Sequence, residues 1–367
     1  MLKIILYPVS IIYGIVVYIR NALYDYKIFK STEFEIPVIS IGNITVGGTG
    51  KTPHTEYLVE LLQKHVRVAT LSRGYKRKTK GFLLVETNST VPNAGDEPVQ
   101  IKQKFPQVTV AVDENRVHGI SELVKDRENS PDVILLDDAF QHRRVSAGIN
   151  ILLIDYNRPI EKDHLLPMGR LRERKYQRRR ANVIIYTKCP DEITPITRRI
   201  IIKDVNLCPY QSLYFTTMIY GSPLPVFPDL AVSVPPINET KIASLMLSGI
   251  ANPDQFRKYL ATKTNLLDEL VFRDHHFYSQ KDLNLIAHKF ETYREKNLFI
   301  FTTEKDAVKL VAQQNLPEEI KSKIFYIPVK IKFLDSEGKS FDQKIIGYVK
   351  DNRSNRKLHS LKNKPTT

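Results

Sequence analysis

A glycine-rich segment near the start of the chain has the residues of a phosphate-binding loop. Residues 42–53 read Gly-Asn-Ile-Thr-Val-Gly-Gly-Thr-Gly-Lys-Thr-Pro, after a short apolar run and before a stretch with helical periodicity. Glycines let backbone N–H groups turn toward phosphate oxygens, and the N-terminus of the following helix adds its positive dipole end. Lys51 would then reach the β- and γ-phosphates of a nucleotide, and the Thr52 hydroxyl would ligate Mg²⁺. The segment therefore predicts a nucleoside triphosphate site with a catalytic lysine.

One position departs from the usual pattern, because Thr45 stands where the first glycine is expected. Gly47 and Gly48 keep the turn permissive, so we favour phosphate binding over a plain glycine-rich turn between strand and helix. The residues predicted to contact the nucleotide are Thr45, Val46, Gly47, Gly48, Thr49, Gly50, Lys51 and Thr52.

Two carboxylates follow a buried strand further along the chain. The apolar run 133–136 ends in Asp137 and Asp138. Ligands bind at the carboxyl ends of strands in open α/β sheets. We therefore predict Asp137 as a Mg²⁺ ligand and Asp138 as a catalytic group that positions a second group or a water. The alternative is an ordinary capping aspartate at a strand end.

The elements that must position these residues follow a βα rhythm. Short apolar runs alternate with stretches of helical periodicity, which predicts a parallel sheet covered on both faces. The runs are residues 38–41, 66–71, 108–112, 133–136, 149–154 and 183–186.

A proline-rich stretch, residues 221–236, breaks this rhythm, and we interpret it as an interdomain connection. A second, smaller α/β unit is predicted beyond it, so the fold class is α/β with a P-loop NTPase-like sheet and a smaller second domain. The predicted boundaries are 1–30 for an N-terminal helix, 31–220 for the P-loop domain, 237–349 for the smaller domain and 350–367 for a basic, mobile tail.

The N-terminus differs from the rest of the chain, since residues 4–19 carry no formal charge. A spanning helix needs about 20 such residues, and no small-residue cleavage site follows as in a signal peptide. We predict a helix that lies at a membrane surface, with tyrosines at its margins and Arg20, Lys27 and Lys30 at the phosphates. The alternative is a buried N-terminal helix of a soluble protein.

Composition narrows the class of protein. The 367 residues include 55 Lys and Arg against 40 Asp and Glu, a net charge of +15, and 42% are hydrophobic, which excludes an intrinsically disordered chain. Two cysteines are too few for a disulfide scaffold and indicate a reducing compartment. The basic excess favours an anionic partner without choosing among nucleic acid, phospholipid and a phosphorylated substrate.

Within two basic clusters, Arg73, Arg170 and Arg172 are predicted to hold substrate phosphate, because guanidinium forks bind phosphate bidentately.

Eight segments in order resemble the tetraacyldisaccharide 4'-kinase family of the lipid A pathway of Gram-negative bacteria. They include Gly-Asp-Glu-Pro at 95–98 and Asp-His at 274–275, and the resemblance covers most of residues 1–310. The segments are residues 42–53, 71–75, 95–98, 137–142, 165–173, 249–253, 274–275 and 303–307.

This resemblance implies transfer of the ATP γ-phosphate to the 4'-hydroxyl of a tetraacylated disaccharide 1-phosphate, at the cytoplasmic face of the inner membrane. It implies that Asp96 is the general base for the sugar hydroxyl and that His275 pairs with Asp96 when the domains close. Glu97 and Glu173 are implied as Mg²⁺ or substrate ligands, with plain solvated carboxylates as the alternative.

Three other functions compete with the lipid kinase. A P-loop GTPase or ATPase without a lipid acceptor would share the loop and the acidic strand end. A nucleic-acid-dependent ATPase would explain the charge, but stacking aromatics among the basic residues are few, so no nucleic-acid partner is predicted. A non-enzymatic membrane adaptor would not need so complete a phosphate-binding loop.

Overall fold

The chain folds around two β-sheets. A computed structural model describes residues 2–233, 242–313 and 315–362 of the 367-residue chain. The strands are β1 (Val38–Gly42), β2 (Val68–Ser72), β3 (Leu83–Val85), β4 (Thr109–Val112), β5 (Val133–Asp137), β6 (Ile149–Asp155), β7 (Val183–Thr187), β8 (Ser212–Tyr220), β9 (Leu224–Pro225), β10 (Ala243–Ser248), β11 (Asn265–Val271), β12 (Phe299–Thr303), β13 (Ile324–Ile327) and β14 (Val329–Phe333).

Helices connect most of these strands and cover the sheets. They are α1 (Leu2–Asp25), α2 (Lys51–Leu62), α3 (Val91–Ala94), α4 (Asp96–Lys104), α5 (Arg116–Lys125), α6 (Pro195–Val205), α7 (Asp254–Lys263), α8 (Gln280–Thr292), α9 (Glu304–Leu310), α10 (Glu318–Lys321) and α11 (Gly338–Lys362). Short 3₁₀ turns lie at Ile160–Lys162, Lys175–Arg180, Pro228–Leu230 and Arg294–Lys296.

The first sheet has nine strands in the order β14-β8-β7-β6-β1-β5-β2-β4-β3. The seven inner strands are parallel, and the edge strands β3 and β14 pair antiparallel. Strand β1 lies at the centre between β5 and β6, with Val38 opposite Ile134 and Ile39 opposite Ile149. The predicted α/β fold with a parallel sheet is confirmed. The central position of β1 brings the glycine-rich loop beside the carboxyl end of β5.

The parallel strands are buried on both faces, which is why they read as continuous apolar runs in the sequence. One face packs against α2 and α11, where Leu58 and Phe341 lie in the same apolar cluster as Ile41. The other face carries two clusters, one around Ile184 and Phe215 and one beneath α5.

The second sheet has five strands in the order β11-β10-β12-β13-β9. Its inner strands are parallel and only β9 pairs antiparallel. Helix α8 begins after Ser279, whose side chain forms a capping box with Asp282. Phe290 and Ile286 of this helix pack into the core of the second unit.

The chain does not stay in the second unit after β13, in contrast to the boundary predicted at residue 349. Strand β14 returns to the first sheet, where Val329–Phe333 pairs with β8, and α11 buries Phe341, Ile345 and Val349 in the first core. The expected tail at 350–367 begins inside α11, which continues to Lys362; residues 363–367 lie outside the described part. The local sequence of β14 and α11 does not indicate which unit they join, because that depends on contacts with residues far away in the chain.

The proline-rich stretch also contributes structure, because β9 within it forms the edge of the second sheet. Residues 234–241, which contain the predicted start of the smaller domain, lie outside the described residues.

Helix α1 runs along the outside of the first unit. Ser10 and Asn21 of α1 are buried against the first unit, and Tyr13 of the same helix donates a hydrogen bond to the Arg172 carbonyl at 2.8 Å. Its outward side exposes large apolar residues such as Ile12 and Val16. By length and composition alone, Leu6–Asp25 is a candidate membrane span, and 17% of its most apolar window is buried.

Candidate active site

A cavity of about 670 Å³ lies where the carboxyl ends of β1 and β5 face the second unit. Both units and α1 contribute to its walls. The first unit lines it with the glycine-rich loop from Thr45 to Pro53, with Asp137 at the end of β5 and with Asp138 just after it. Helix α1 adds Tyr13, Val17 and Arg20, and the second unit adds residues 250–252, 274–275 and 303–305. All eight residues predicted to contact a nucleotide line this cavity.

The glycine-rich loop is fixed from outside by side chains. Gly47 and Gly50 have positive φ angles of 106° and 82°, which an L side chain rarely adopts. The Thr187 hydroxyl donates to the Thr49 carbonyl at 2.9 Å, and Lys188 donates to the Gly48 carbonyl. These two contacts use loop carbonyls and leave the N–H groups of residues 47–50 to a phosphate, whereas the Val46 N–H already donates to the Arg170 carbonyl.

His54 braces the same loop from within α2. Its Nδ1 donates to the Gly50 carbonyl at 2.7 Å, and its Nε2 accepts from the Thr216 hydroxyl at 3.0 Å. Burial lowers the pKa of His54 to about 4. The imidazole is therefore neutral at pH 7 and acts as a hydrogen-bonding brace.

Lys51 and Asp138 meet at the floor of the cavity. The Lys51 Nζ lies 3.6 Å from Asp138 Oδ1, and Arg172 Nη2 lies 2.9 Å from the same oxygen. Burial alone would raise the pKa of Asp138, but the Lys51 and Arg172 cations hold that pKa well below its usual range. Arg172 also contacts the side chain and carbonyl of Asn43. Asp138 is thus an ionised group that orients both cations toward the loop.

Asp137 and Thr52 offer the oxygen donors that Mg²⁺ prefers. Burial, together with the nearby carboxylates of Glu97 and Asp138, raises the pKa of Asp137 to about 7. A bound cation would offset the repulsion between the buried Asp137 and the partly exposed carboxylates of Glu97 and Asp138. Among the described residues no group of three or more His, Cys, Asp or Glu side chains is arranged to hold a metal by itself. That is consistent with Mg²⁺, which binds one or two carboxylates and takes its other ligands from phosphates and water.

Glu173 borders the cavity, but its carboxylate is already engaged. It pairs with Arg180, and it accepts hydrogen bonds from Asn21 of α1 at 3.1 Å and from Gln141 at 3.4 Å. The sequence suggested a Mg²⁺ ligand, whereas the geometry gives Glu173 the role of a buried anchor for α1. Glu97, by contrast, faces the cavity and accepts from Lys305 at 3.1 Å.

Asp96 and His275 come together across the two units. His275 Nδ1 lies 2.8 Å from Asp96 Oδ2, and the Asp96 side chain is almost fully buried. Burial would raise the pKa of Asp96, but Lys305 and the His275 hydrogen bond outweigh it and lower the pKa to about 2. His275 lines the cavity, whereas Asp96 lies behind it. Both ring nitrogens of His275 have a partner, since Nδ1 contacts Asp96 and Nε2 lies 3.3 Å from Lys305 Nζ.

The three predicted phosphate-binding arginines have different environments. Arg73 and Arg172 line the cavity. Arg170 does not; its side chain is exposed, and its backbone carbonyl accepts from the Val46 N–H at 2.8 Å. The structure therefore separates Arg170 from the other two, and its local role is to support the glycine-rich loop.

Several cavity residues were given no role in the site from the sequence, although Lys305 lies in the resemblance segment 303–307. Arg116 is a buried guanidinium whose pKa burial lowers to about 10. Lys305 follows β12, and its Nζ lies 3.3 Å from His275 Nε2. Tyr13 and Arg20 enter from α1, and their spacing of seven residues on one helix face was the one available signal for them.

Known proteins resemble this chain along nearly its whole length. A model of the tetraacyldisaccharide-1-P 4'-kinase family matches residues 2–349. A tetraacyldisaccharide 4'-kinase from Bacteroides fragilis (strain ATCC 25285) is 48% identical over 364 residues, which cover 97% of this chain and 96% of the relative. One from Phocaeicola vulgatus is 49% identical over 352 residues, covering 95% and 96%. The solved structure of LpxK from Aquifex aeolicus in complex with ATP superimposes with a TM-score of 0.72 at 31% identity, covering 95% of this chain and 99% of that chain.

Proposed function

The chain belongs to the tetraacyldisaccharide-1-P 4'-kinase family, and from that premise we propose that its cavity transfers the γ-phosphate of ATP to the 4'-hydroxyl of a tetraacyldisaccharide 1-phosphate. Family membership makes the chain a kinase of lipid A biosynthesis. One observation carries the assignment of the reaction to this cavity. The glycine-rich loop forms one wall, and His275, backed by Asp96, belongs to another.

The loop and its lysine bind the phosphate donor. The N–H groups between Gly47 and Thr52 and the N-terminal end of α2 attract the β- and γ-phosphates. Lys51, oriented by Asp138 at 3.6 Å, stabilises the negative charge that develops on the transferred group. The ATP complex of the Aquifex aeolicus relative supports this choice of nucleotide.

Mg²⁺ is the metal that suits the oxygen donors beside the loop. Thr52 and Asp137 would hold it, with Glu97 next to them, and it would neutralise charge on the β- and γ-phosphates. The protein's own contribution is to keep these donors in place, as the hydrogen bond from the Thr55 hydroxyl to Asp137 at 3.1 Å does.

The Asp96–His275 pair receives the proton of the sugar hydroxyl. The 4'-oxygen forms a bond to the γ-phosphorus, and the bond from that phosphorus to the β–γ bridging oxygen breaks, so that ADP leaves. The hydroxyl proton passes to the pair, whose imidazole lines the cavity. Asp96 is the carboxylate that the family resemblance implies as general base, and His275 orients it through Nδ1 at 2.8 Å, while Nε2 of the ring lies 3.3 Å from the Lys305 ammonium.

The acceptor is a lipid, and α1 is the element that suits a membrane surface. Its exposed side is apolar, and Arg20 at its end lines the cavity. This arrangement supports a location at the cytoplasmic face of the inner membrane, since both ATP and the lipid must reach one cavity. Arg73 and Arg172 would contact phosphate groups of the donor or the acceptor.

Product analysis tests this function. The purified protein, incubated with Mg·ATP and the tetraacyldisaccharide 1-phosphate in detergent micelles, should give a lipid with a second phosphomonoester, which ³¹P NMR locates on the 4'-oxygen. Release of inorganic phosphate without change to the lipid, especially from GTP, would contradict it and would favour a P-loop hydrolase.

A further inference from the structure

Helix α6 carries an exposed surface that mixes apolar and basic residues. Ile196 and Ile200, one turn apart, are 72% and 54% exposed. Arg199 and Lys203 are exposed beside them. On the opposite side of the helix Val205 is fully buried. We call these four outward residues, Ile196, Arg199, Ile200 and Lys203, the α6 face. A short helix with isoleucines flanked by basic residues has the composition of elements that lie in a membrane interface.

The α6 face is continuous with α1 through the basic turn at Lys175–Arg180. Arg178 Nε donates to the carbonyl of Val205, the last residue of α6, at 2.7 Å. Just before the turn, the Arg174 guanidinium lies 5.1 Å from the centre of the Tyr18 ring of α1. The C-terminal end of α6, the basic turn and α1 are therefore neighbours on the first unit.

Tyrosines occupy the surface between the two helices. Tyr176 and Tyr210 are both more than half exposed. The Arg179 guanidinium lies 4.6 Å from the centre of the Tyr176 ring, and the Tyr210 hydroxyl donates to the Arg179 carbonyl at 2.6 Å. Tyrosine rings at the level of lipid headgroups, with arginines at the phosphates, are typical of interfacial protein surfaces.

We propose that the α6 face is a second membrane contact, which binds anionic phospholipid headgroups while α1 occupies the more apolar part of the interface. Charge carries the choice of partner. Arg199 and Lys203, with the exposed Arg174, Lys175 and Arg179 beside them, outnumber the exposed acids Asp191, Glu192 and Asp204 near α6. Two contacts fix the orientation of the first unit on the bilayer, which one helix alone leaves free to rotate. The proposal builds on the membrane location given under the proposed function.

The absence of tryptophan from the sequence gives a direct test. Ile200→Trp places one such fluorophore on the α6 face, Ile12→Trp places one on the exposed side of α1, and Leu285→Trp is the matched control on exposed α8 of the second unit. With vesicles of phosphatidylethanolamine and phosphatidylglycerol, emission at positions 200 and 12 should shift to the blue and be quenched by brominated acyl chains. Emission at position 285 should not change.

A shift at position 12 without one at position 200 would overturn the proposal. So would a blue shift at position 200 that depends on protein concentration in the absence of vesicles, because it would identify a second copy of the chain as the partner.

Charge variants test the headgroup contact separately. Each basic side chain near an anionic surface changes partitioning by about fivefold, so Arg199→Gln with Lys203→Gln should weaken binding to phosphatidylglycerol vesicles by roughly 25-fold. Binding to neutral phosphatidylcholine vesicles should not change. Lys258→Gln with Lys281→Gln, an equal loss of charge on the second unit, is the control, and equal losses for the two double variants would contradict the proposal.

Kinase activity in detergent micelles separates this proposal from the proposed function. All the variants above should retain it, because none of the substituted residues lines the cavity. A wild-type protein that binds vesicles through Ile200 but does not phosphorylate the lipid would overturn the kinase assignment and leave the membrane contact standing.

Discussion

His275 and Asp96 are 179 positions apart in the chain, yet His275 Nδ1 lies 2.8 Å from a carboxylate oxygen of Asp96. Asp96 begins α4 of the first unit, and His275 follows β11 of the second. Lys305 adds a second link, since its ammonium lies 3.1 Å from Glu97 and 3.5 Å from Asp274. The proposed acid–base pair is therefore complete only when the two units are in contact.

The pair should behave as one unit in kinetics. Asp96→Asn and His275→Gln should each lower kcat by about 100-fold or more, because either change removes the oriented proton acceptor. The double variant should be little worse than the more damaged single variant, since groups that act together give non-additive effects. Steady-state assays with the lipid acceptor measure this, with KM for ATP nearly unchanged. Fully multiplicative losses would show that the two residues act independently.

Lys51 should matter for the chemical step. Lys51→Ala should lower kcat by about 100-fold or more, through lost stabilisation of the transferred phosphoryl group. Lys64→Ala, which removes an exposed lysine just beyond the end of the same helix, is the matched control and should be neutral. A normal kcat for Lys51→Ala in single-turnover experiments would remove this lysine from the mechanism.

Substitutions of Asp137 and of Glu173 should have different effects on the Mg²⁺ concentration that the enzyme requires. Asp137→Asn should raise the Mg²⁺ concentration needed for half-maximal activity by about tenfold, because it weakens an oxygen donor. Glu173→Gln should leave that concentration unchanged and instead destabilise the protein by about 3 kcal/mol, since it leaves the partly buried Arg180 without its carboxylate.

Activity titrations with Mg²⁺ and urea unfolding measure these two effects. A higher Mg²⁺ requirement in Glu173→Gln would restore Glu173 as a metal ligand.

Glu56 should make stability depend on pH. Burial raises its pKa from 4.5 to about 7, and Glu304 adds to the rise although Lys104 opposes it. The native state therefore binds a proton that the unfolded state releases between these two pH values. The stability from this proton is complete below about pH 4.5 and is lost as pH rises through about 7.

Denaturant unfolding at pH 5 and pH 8, as example conditions around these pKa values, measures the effect. The free energy of unfolding should fall less with rising pH in Glu56→Gln than in the wild type. Glu60→Gln changes an exposed carboxylate of the same helix and should follow the wild type. A decline in Glu56→Gln as steep as in the wild type would assign the pH dependence to other groups.

Helix α11 should be an integral part of the first unit. Phe341→Ala removes a fully buried ring from the first core and should cost about 3–5 kcal/mol of unfolding free energy. Gln343→Ala, an exposed position on the same helix, should cost less than about 0.5 kcal/mol. If the two variants were equally stable in urea unfolding, α11 would not be packed in the core.

Local patterns were sufficient to predict the centre of the fold. The run at 38–41 became β1, the run at 133–136 became β5, and the two are neighbours in register. Fully buried parallel strands leave continuous apolar runs, and a glycine-rich loop has a local signature, so both are readable from sequence. The return of β14 to the first sheet has no such signature, because an edge strand is defined by its distant partner.

The candidate site divides in the same way. The loop, Asp137 and Asp138 were recognisable from spacing and strand context, and the family resemblance pointed to Asp96 and His275. Arg116 was not recognisable, since a lone basic residue gains meaning only from the carboxylates that folding places around it. Lys305 lies in the resemblance segment 303–307, but its contact with Glu97 depends on folding. The ligand role of Glu173 stays a prediction, and its pairing with Arg180 could not be foreseen because it depends on tertiary structure.

Transfer of the terminal phosphate of ATP to the lipid is the measurement that tests the central claim most directly. We would follow γ-³²P-labelled ATP in mixed micelles, with and without the tetraacyldisaccharide 1-phosphate, and compare the wild type with Asp96→Asn. Label should move to the lipid at the expense of ATP only when the acceptor is present, and the rate should fall by about 100-fold or more in the variant. Label released as inorganic phosphate at the same rate without the acceptor, or a variant as fast as the wild type, would contradict the account.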